Sequence, residues 1–175
     1  MYLISLYFDE ETDGKIRSYI KQIARHTGNR VMIDGNIPPH ITIAAFDCDS
    51  KAQAVEFFQR VIIKMQAGKL KWVSVGSFLP KVLYISPVLN EYLQNISETI
   101  YKEMSPMENV IPKGNYGPYH WIPHATLGKH LEKEQMRTAF KIMQDQFAPF
   151  ESRAVRCGLA KTNPYEDVLI YELEQ

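Results

Sequence analysis

The sequence predicts an α+β domain built from one unit used twice, on three observations. Short runs of β-forming residues alternate with stretches of helical apolar spacing along all 175 residues. A proline, then His-x-Thr, then an apolar residue occurs twice, as Pro39-His40-Ile41-Thr42-Ile43 and Pro123-His124-Ala125-Thr126-Leu127. His40 and His124 stand 84 residues apart, and Gly76 and Gly158, in the runs that follow them, stand 82 apart. Matching offsets of this kind mark an internal duplication. The length suits a single domain over 1–175, divided into two pseudo-symmetric lobes at about 1–80 and 81–175.

Each half reads strand, helix, His-x-Thr strand, helix, strand. In the first half, residues 2–8 (YLISLYF) form a strand. Thr12 is placed to cap a helix with Ile16, Tyr19, Ile20 and Ile23 on its apolar face, and Gly28 and Asn29 end it. A loop over 30–39 leads into a strand over 40–46. Ser50 and Gln53 make a capping box for a helix that buries Ala54, Val55, Phe58, Val61, Ile62 and Met65 and stops at Gly68. A strand over about 70–79 breaks at Pro80. In the second half a strand over 82–88 precedes a helix capped by Asn90, with Leu93, Ile96, Ile100 and Met104 on one face. A loop of 19 residues, 105–123, leads to a strand over 124–130. A helix over 132–147 then buries Met136, Ala139, Phe140, Met143 and Phe147 and ends before Pro149. Strands over 152–160 and 168–173 flank a turn over 162–167.

Composition excludes several classes. Twenty basic side chains balance twenty acidic ones, so the chain does not coat nucleic acid by bulk charge, although a local basic patch stays open. Cys48 and Cys157 lack metal-ligand spacing and are too few for a disulfide scaffold, which fits a reducing cytosol. The N-terminal stretch has neither the basic start nor the long apolar run of a secretory signal, and no apolar segment is long enough to span a bilayer, so a cytoplasmic location is expected.

The paired motif carries the chemistry. Five histidines and seven threonines give about 0.2 His-x-Thr triplets by composition, so one copy says little and two at equivalent places in a repeat say much. Residues i and i+2 of a strand share a face, so each copy aims one imidazole and one hydroxyl into the same space. If a pseudo-two-fold relates the halves, both pairs meet in one cleft. Two imidazoles there suit paired proton transfers near neutral pH, and the hydroxyls of Thr42 and Thr126 can hydrogen-bond the non-bridging oxygens of a phosphate. The alternative reading makes both histidines satisfied core or strand-edge residues.

The two strands, His40-Ile41-Thr42-Ile43 and His124-Ala125-Thr126-Leu127, resemble those of the 2H phosphoesterase superfamily, the family of 2′-5′ RNA ligase-like proteins and cyclic nucleotide phosphodiesterases. The resemblance covers nearly the whole chain. It implies a bilobal fold of two antiparallel sheets facing across a central cleft with helices outside. It implies metal-independent chemistry on 2′,3′-cyclic phosphate or 2′-5′ linkages of RNA-derived substrates. It also implies that His40 serves the leaving oxygen as acid and His124 activates water as base, the roles reversing for ligation. Many relatives carry an arginine shortly after the second motif. This chain has Gly128-Lys129-His130 there, so Lys129 is the candidate phosphate-binding cation, against a plain solvent-facing lysine.

Loops longer than about 12–15 residues inside a compact domain are usually functional. The loop over 105–123 carries Tyr116, Tyr119 and Trp121, which are candidates to stack a base, with the alternative that Trp121 fastens the loop to the sheet. His120 and His124 are four apart, a metal pair only on a helix, and Pro118 and Pro123 disfavour one. No metal and no cofactor are expected. His26 falls at a helix end, where it favours the helix dipole. The expected partner is a nucleotide or an RNA end carrying a cyclic phosphate, with no membrane and no obligatory protein partner. Two rival functions remain at this level: 2′-5′ RNA ligation, and a nucleotide- or RNA-binding module without turnover.

Overall fold

A computed structural model describes residues 1–162 and 164–174. Asn163, inside the turn expected over 162–167, and Gln175 lie outside the described residues. In chain order the elements are β1 Tyr2–Phe8, α1 Glu10–Thr27, α2 Val31–Asp34, β2 Ile41–Asp47, α3 Lys51–Ile62, β3 Gly68–Phe78, β4 Val82–Pro87, α4 Glu91–Met104, β5 Ile111–Lys113, β6 Ala125–Gly128, α5 Lys133–Gln146, β7 Phe150–Lys161 and β8 Glu166–Glu172. The α+β class and the antiparallel pairing are as the sequence predicts.

The strands form one hydrogen-bonded sheet in the order β5-β2-β1-β7-β3-β4-β6, with β8 paired to β7. The two sheets expected from the resemblance are thus joined, through β3 and β7. With β1, β2 and β3 as counterparts of β4, β6 and β7, the order β2-β1-β7-β3-β4-β6 reads the same from either end. The third strand of each unit is exchanged: β3 pairs with β4, and β7 pairs with β1. The strand groups therefore do not divide at residue 80. The helices follow the same exchange, since α1 and α5 lie against each other over β6 and β4, and α4 lies against β2.

Strand alternation separates two faces. Ile4, Leu6 and Phe8, Ile41 and Ile43, Leu83 and Ile85, Ala125 and Leu127, and Cys157 and Leu159 join the apolar core with the inward stripes of the helices. The alternate residues face the other way and include both His-x-Thr pairs. No helix is long and apolar enough to cross a membrane among the described residues.

Several local expectations are corrected. The cap of α1 is Asp9, whose Oδ1 accepts the Thr12 N–H at 2.9 Å. β1 runs directly into the helix, so Thr12 lies inside the first turn. The loop over 30–39 contains the single turn α2. Ser50 caps α3, but Gln53 reaches back to the Asp49 N–H and not to that of Ser50, so the box is displaced by one residue. α3 ends at Ile62, while Met65 beyond it is still buried. Phe140 is exposed. The long loop contains β5, which extends the sheet past β2. Asn90 caps α4 through the Leu93 N–H as expected, and His26 Nδ1 lies 2.8 Å from the Gln22 carbonyl in the last turn of α1.

Asp9 also accepts the Arg153 N–H of β7 at 2.8 Å through Oδ2, so one carboxylate ties the first helix to the last half of the sheet. Partial burial pushes its pKa up, but the Arg153 and Thr12 bonds outweigh this and hold it below the usual carboxylate value of 3.8. A depressed carboxyl stabilises the fold above its unfolded pKa, and that contribution is lost as pH falls through the folded value. Asp9→Ala should cost about 1–2 kcal/mol in urea denaturation at pH 7. The difference from the native chain should shrink as the titration is repeated below pH 3.8.

Candidate functional site

His40 and His124 each stand immediately before their strand, and a hydrogen bond of the same kind fixes each ring. His40 Nδ1 lies 2.8 Å from the Pro38 carbonyl, and His124 Nδ1 lies 2.8 Å from the Ile122 carbonyl. Both acceptors are two residues upstream, and in both cases a proline intervenes. A residue before proline is confined to extended backbone, which turns its carbonyl toward the ring that follows. A carbonyl oxygen can only accept, so Nδ1 carries the hydrogen in both rings. Nε2 is left to take up or give a proton.

The cross-strand register continues the equivalence. Thr42 is opposite Ser5, which is opposite Gly158; Thr126 is opposite Tyr84, which is opposite Gly76. The pairing slips by one residue between Ile4 and Ser5 in one half and between Leu83 and Tyr84 in the other, beside the threonine each time. Thr42 is 7 % exposed and Thr126 is half-buried. Gly76 and Gly158, conspicuous in sequence only by spacing, make room for tyrosines. A Cβ on Gly76 would lie 2.6 Å from the Tyr84 ring, and one on Gly158 2.7 Å from the Tyr7 ring.

Those tyrosines flank the histidines. His124 sits between Phe78, edge-on at 4.8 Å, and Tyr84 at 5.2 Å; Tyr7 lies 6.3 Å from His40. The Tyr7 hydroxyl is 3.1 Å from that of Tyr165, which donates to Asp167 Oδ1 at 2.7 Å. Burial pushes Tyr7 up to about 12 and raises Tyr165 as well, so both hydroxyls stay protonated.

Both histidines are held below the ordinary value of 6.5, chiefly by burial, against which the Pro38 and Ile122 carbonyls act. His40 is lowered further by the charge of His124 and raised by Asp167. β2 and β6, which follow the two histidines, are five strands apart in the order of the sheet.

A pocket of about 310 Å³ opens beside His124, lined by Phe78, Gly114, Asn115, Tyr116, His120 and Ile122. The long loop thus borders one histidine. Of its aromatics, Tyr116 lines this pocket and is half-buried. Tyr119 is 74 % exposed, with φ of 62°. Trp121 is 4 % exposed within the core, and its indole Nε1 is buried without a partner among the described residues. Burial removes Trp121 from the stacking candidates and gives it the packing role. Lys129 is exposed beyond the end of β6, and its carbonyl accepts from the Asn29 side chain beyond α1. No group of three or more histidine, cysteine or acidic side chains is arranged to hold a metal among the described residues. Phe78, Tyr84, Tyr7 and Asp167 were not singled out in the sequence. The glycine spacing was the one available signal, and it marks where the tyrosines lie without naming them.

The model of the 2′-5′ RNA ligase superfamily matches residues 13–165. No curated protein matches. Among solved structures, Escherichia coli LigT complexed with 3′-AMP is similar over 99 % of this chain and 98 % of its own, with a TM-score of 0.63 at 13 % identity. A phosphoesterase is similar over the same shares with a TM-score of 0.65 at 14 % identity, and LigT complexed with NADP+ has a TM-score of 0.62. At such identities the likeness shows a shared fold. With a family match across most of its length and both His-x-Thr strands in place, the chain belongs to the 2′-5′ RNA ligase superfamily, the 2H phosphoesterases.

Proposed function

We propose that this protein is a metal-independent phosphoesterase of the cytoplasm, acting on 2′,3′-cyclic phosphate or 2′-5′ phosphodiester linkages of RNA-derived substrates. The observation that carries the reading is the pair of imidazoles with Nδ1 locked to an upstream carbonyl, each followed on the same face by a threonine. In hydrolysis, water attacks phosphorus and the bond to one ribose oxygen breaks. His124 takes the proton of water at Nε2, and His40 gives its Nε2 proton to the departing oxygen, leaving a phosphomonoester. Asp167 favours the protonated form of His40, while His124 is flanked by aromatic rings, which supports this direction. Thr42 and Thr126 hold the non-bridging oxygens.

The pocket beside His124 takes the base, with Phe78, 39 % exposed, and Tyr116 as its aromatic walls and Ile122, 50 % exposed, at its rim. LigT has been crystallised with 3′-AMP and NADP+, which favours a nucleotide as ligand here too. Ligation uses the same two histidines in the reverse sense. A binding module without turnover is the reading from another class, and it takes over if nucleotide binds but no cyclic phosphate or 2′-5′ linkage is consumed.

Turnover of nucleoside 2′,3′-cyclic phosphates, measured in excess chelator, tests the proposal. Activity should persist, and His40→Ala or His124→Ala should each lower kcat by about 10²-fold or more with folding unchanged by circular dichroism. The double variant should lose less than the product of the two. Wild-type rates in both single variants refute the assignment, and so does activity that chelation abolishes and a divalent ion restores.

The pH profile gives a second test. The competent state has one histidine charged and one neutral, and both are depressed from 6.5, so kcat/KM should be bell-shaped with its maximum on the acid side of 6.5. The limbs belong to the coupled pair. Phe78→Ala should raise KM for an adenosine-bearing substrate about 5- to 150-fold, by the ~1–3 kcal/mol a stacked base contributes. It should leave KM unchanged for a substrate without a base.

A further inference from the structure

Four cross-strand rows lie around the histidines, on the sheet face that carries them. The first runs Tyr7, Arg156 and Glu172, with the His40 ring 6.3 Å from that of Tyr7, and the second Thr42, Ser5, Gly158 and Ile170. In the other half they run Ser86 and Ser74, then Thr126, Tyr84 and Gly76. Arg156 is the one cation in these rows, and its counterpart in the duplicated unit is the neutral Ser74.

Its guanidinium carbon lies 6.0 Å from the centre of the Tyr7 ring, in the range of a cation–π contact. Tyr7 is buried and tied through Tyr165 to Asp167, so the surface on which the guanidinium rests is fixed. Glu172 is directly across from Arg156 on β8, but no ion pair joins them within 4 Å among the described residues. Arg156 and His40 are two strand spacings apart, about 10 Å between backbones. Two side chains of their length can converge on one tetrahedral anion across that gap.

We infer that Arg156 is the positioning cation for the substrate phosphate, an inference that rests on the phosphoesterase reading. A phosphodiester carries a negative charge, and two histidines depressed below 6.5 supply little positive charge at neutral pH to hold it. A guanidinium stays charged at every working pH and offers a planar fork of donors. The cleft is then polarised: phosphate goes toward β7 and His40, and base toward Phe78 and the loop beside His124. Lys129, beyond the end of β6 and tied by its main chain to Asn29, is not needed for this role.

The test uses the full chain and two probes, inorganic phosphate and uncharged adenosine, followed by the imidazole proton resonances of both histidines. Arg156→Met should weaken phosphate binding at least tenfold, and Arg156→Lys should weaken it less, because charge is kept and the fork is lost. Adenosine affinity should stay within twofold in both, which also reports an intact fold. Equal phosphate affinity in the native chain and Arg156→Met, with His40→Ala weakened, overturns the role of Arg156 and leaves the histidine pair standing. Loss of phosphate binding in Lys129→Met with none in Arg156→Met does the same. If phosphate shifts neither histidine in the native chain, this inference and the phosphoesterase reading fall together.

Discussion

Five residue pairs along β3 and β7, from Gly68 opposite Ala154 to Trp72 opposite Phe150, hold the two ends of the sheet together. Trp72 anchors this seam. It is fully buried, its Nε1 donates to the Ser152 hydroxyl at 2.9 Å, and Phe8 and Phe150 lie against its ring at 5.3 and 5.9 Å. A buried indole needs a partner for its N–H, and a hydroxyl on the adjacent strand supplies one without interrupting the ladder. The seam joins the far ends of the sheet through its middle. His40 and His124 are at those far ends. The relative placement of the two histidines thus depends on packing several strands away from either.

The duplication sets the frame, and the departures from it set what surrounds each histidine. Both halves lock Nδ1 to the carbonyl two residues before, both shift register beside the threonine, and both use a glycine to seat a tyrosine. Around that shared frame one half carries Arg156, Tyr165 and Asp167, while the other carries Ser74, Phe78 and the loop pocket. Acid and base chemistry asks for two rings that differ in proton affinity, and symmetric surroundings would not distinguish them. The difference is made by neighbours on β7, β8 and β3, while the backbone carbonyl that locks each ring is the same in both halves.

The elements were legible wherever apolar spacing and capping agree, as in α4, where Asn90 and the stripe Leu93, Ile96, Ile100 and Met104 all fall as the sequence predicts. Asp9 was missed as a cap because it also reads as a residue ending β1, and its second partner, Arg153, is 144 residues away. The two histidines and threonines were legible because the chain repeats them. Their tyrosine neighbours were not, because Tyr7 and Tyr84 fall in different rows and become equivalent only through the glycines under them. The exchange of β3 and β7 left no local signal at all. Each strand has the same apolar alternation whichever partner it takes, so periodicity cannot choose between them.

That exchange has a consequence for how the chain is made. β1 spans residues 2–8, and its partner on one edge is residues 154–161. At about 5–20 residues per second on the ribosome, that edge waits roughly 8–30 s for its partner to be synthesised. Over this interval the nascent chain presents Ile4, Leu6 and Phe8 on a half-paired strand, the kind of edge that recruits other chains. Pairing at such sequence separation also closes late and slowly. The first histidine is synthesised early, yet the Tyr7 ring beside it meets Arg156, Tyr165 and Asp167 only when β7 and β8 have been made. A nascent or truncated chain therefore displays the motif long before it possesses a site.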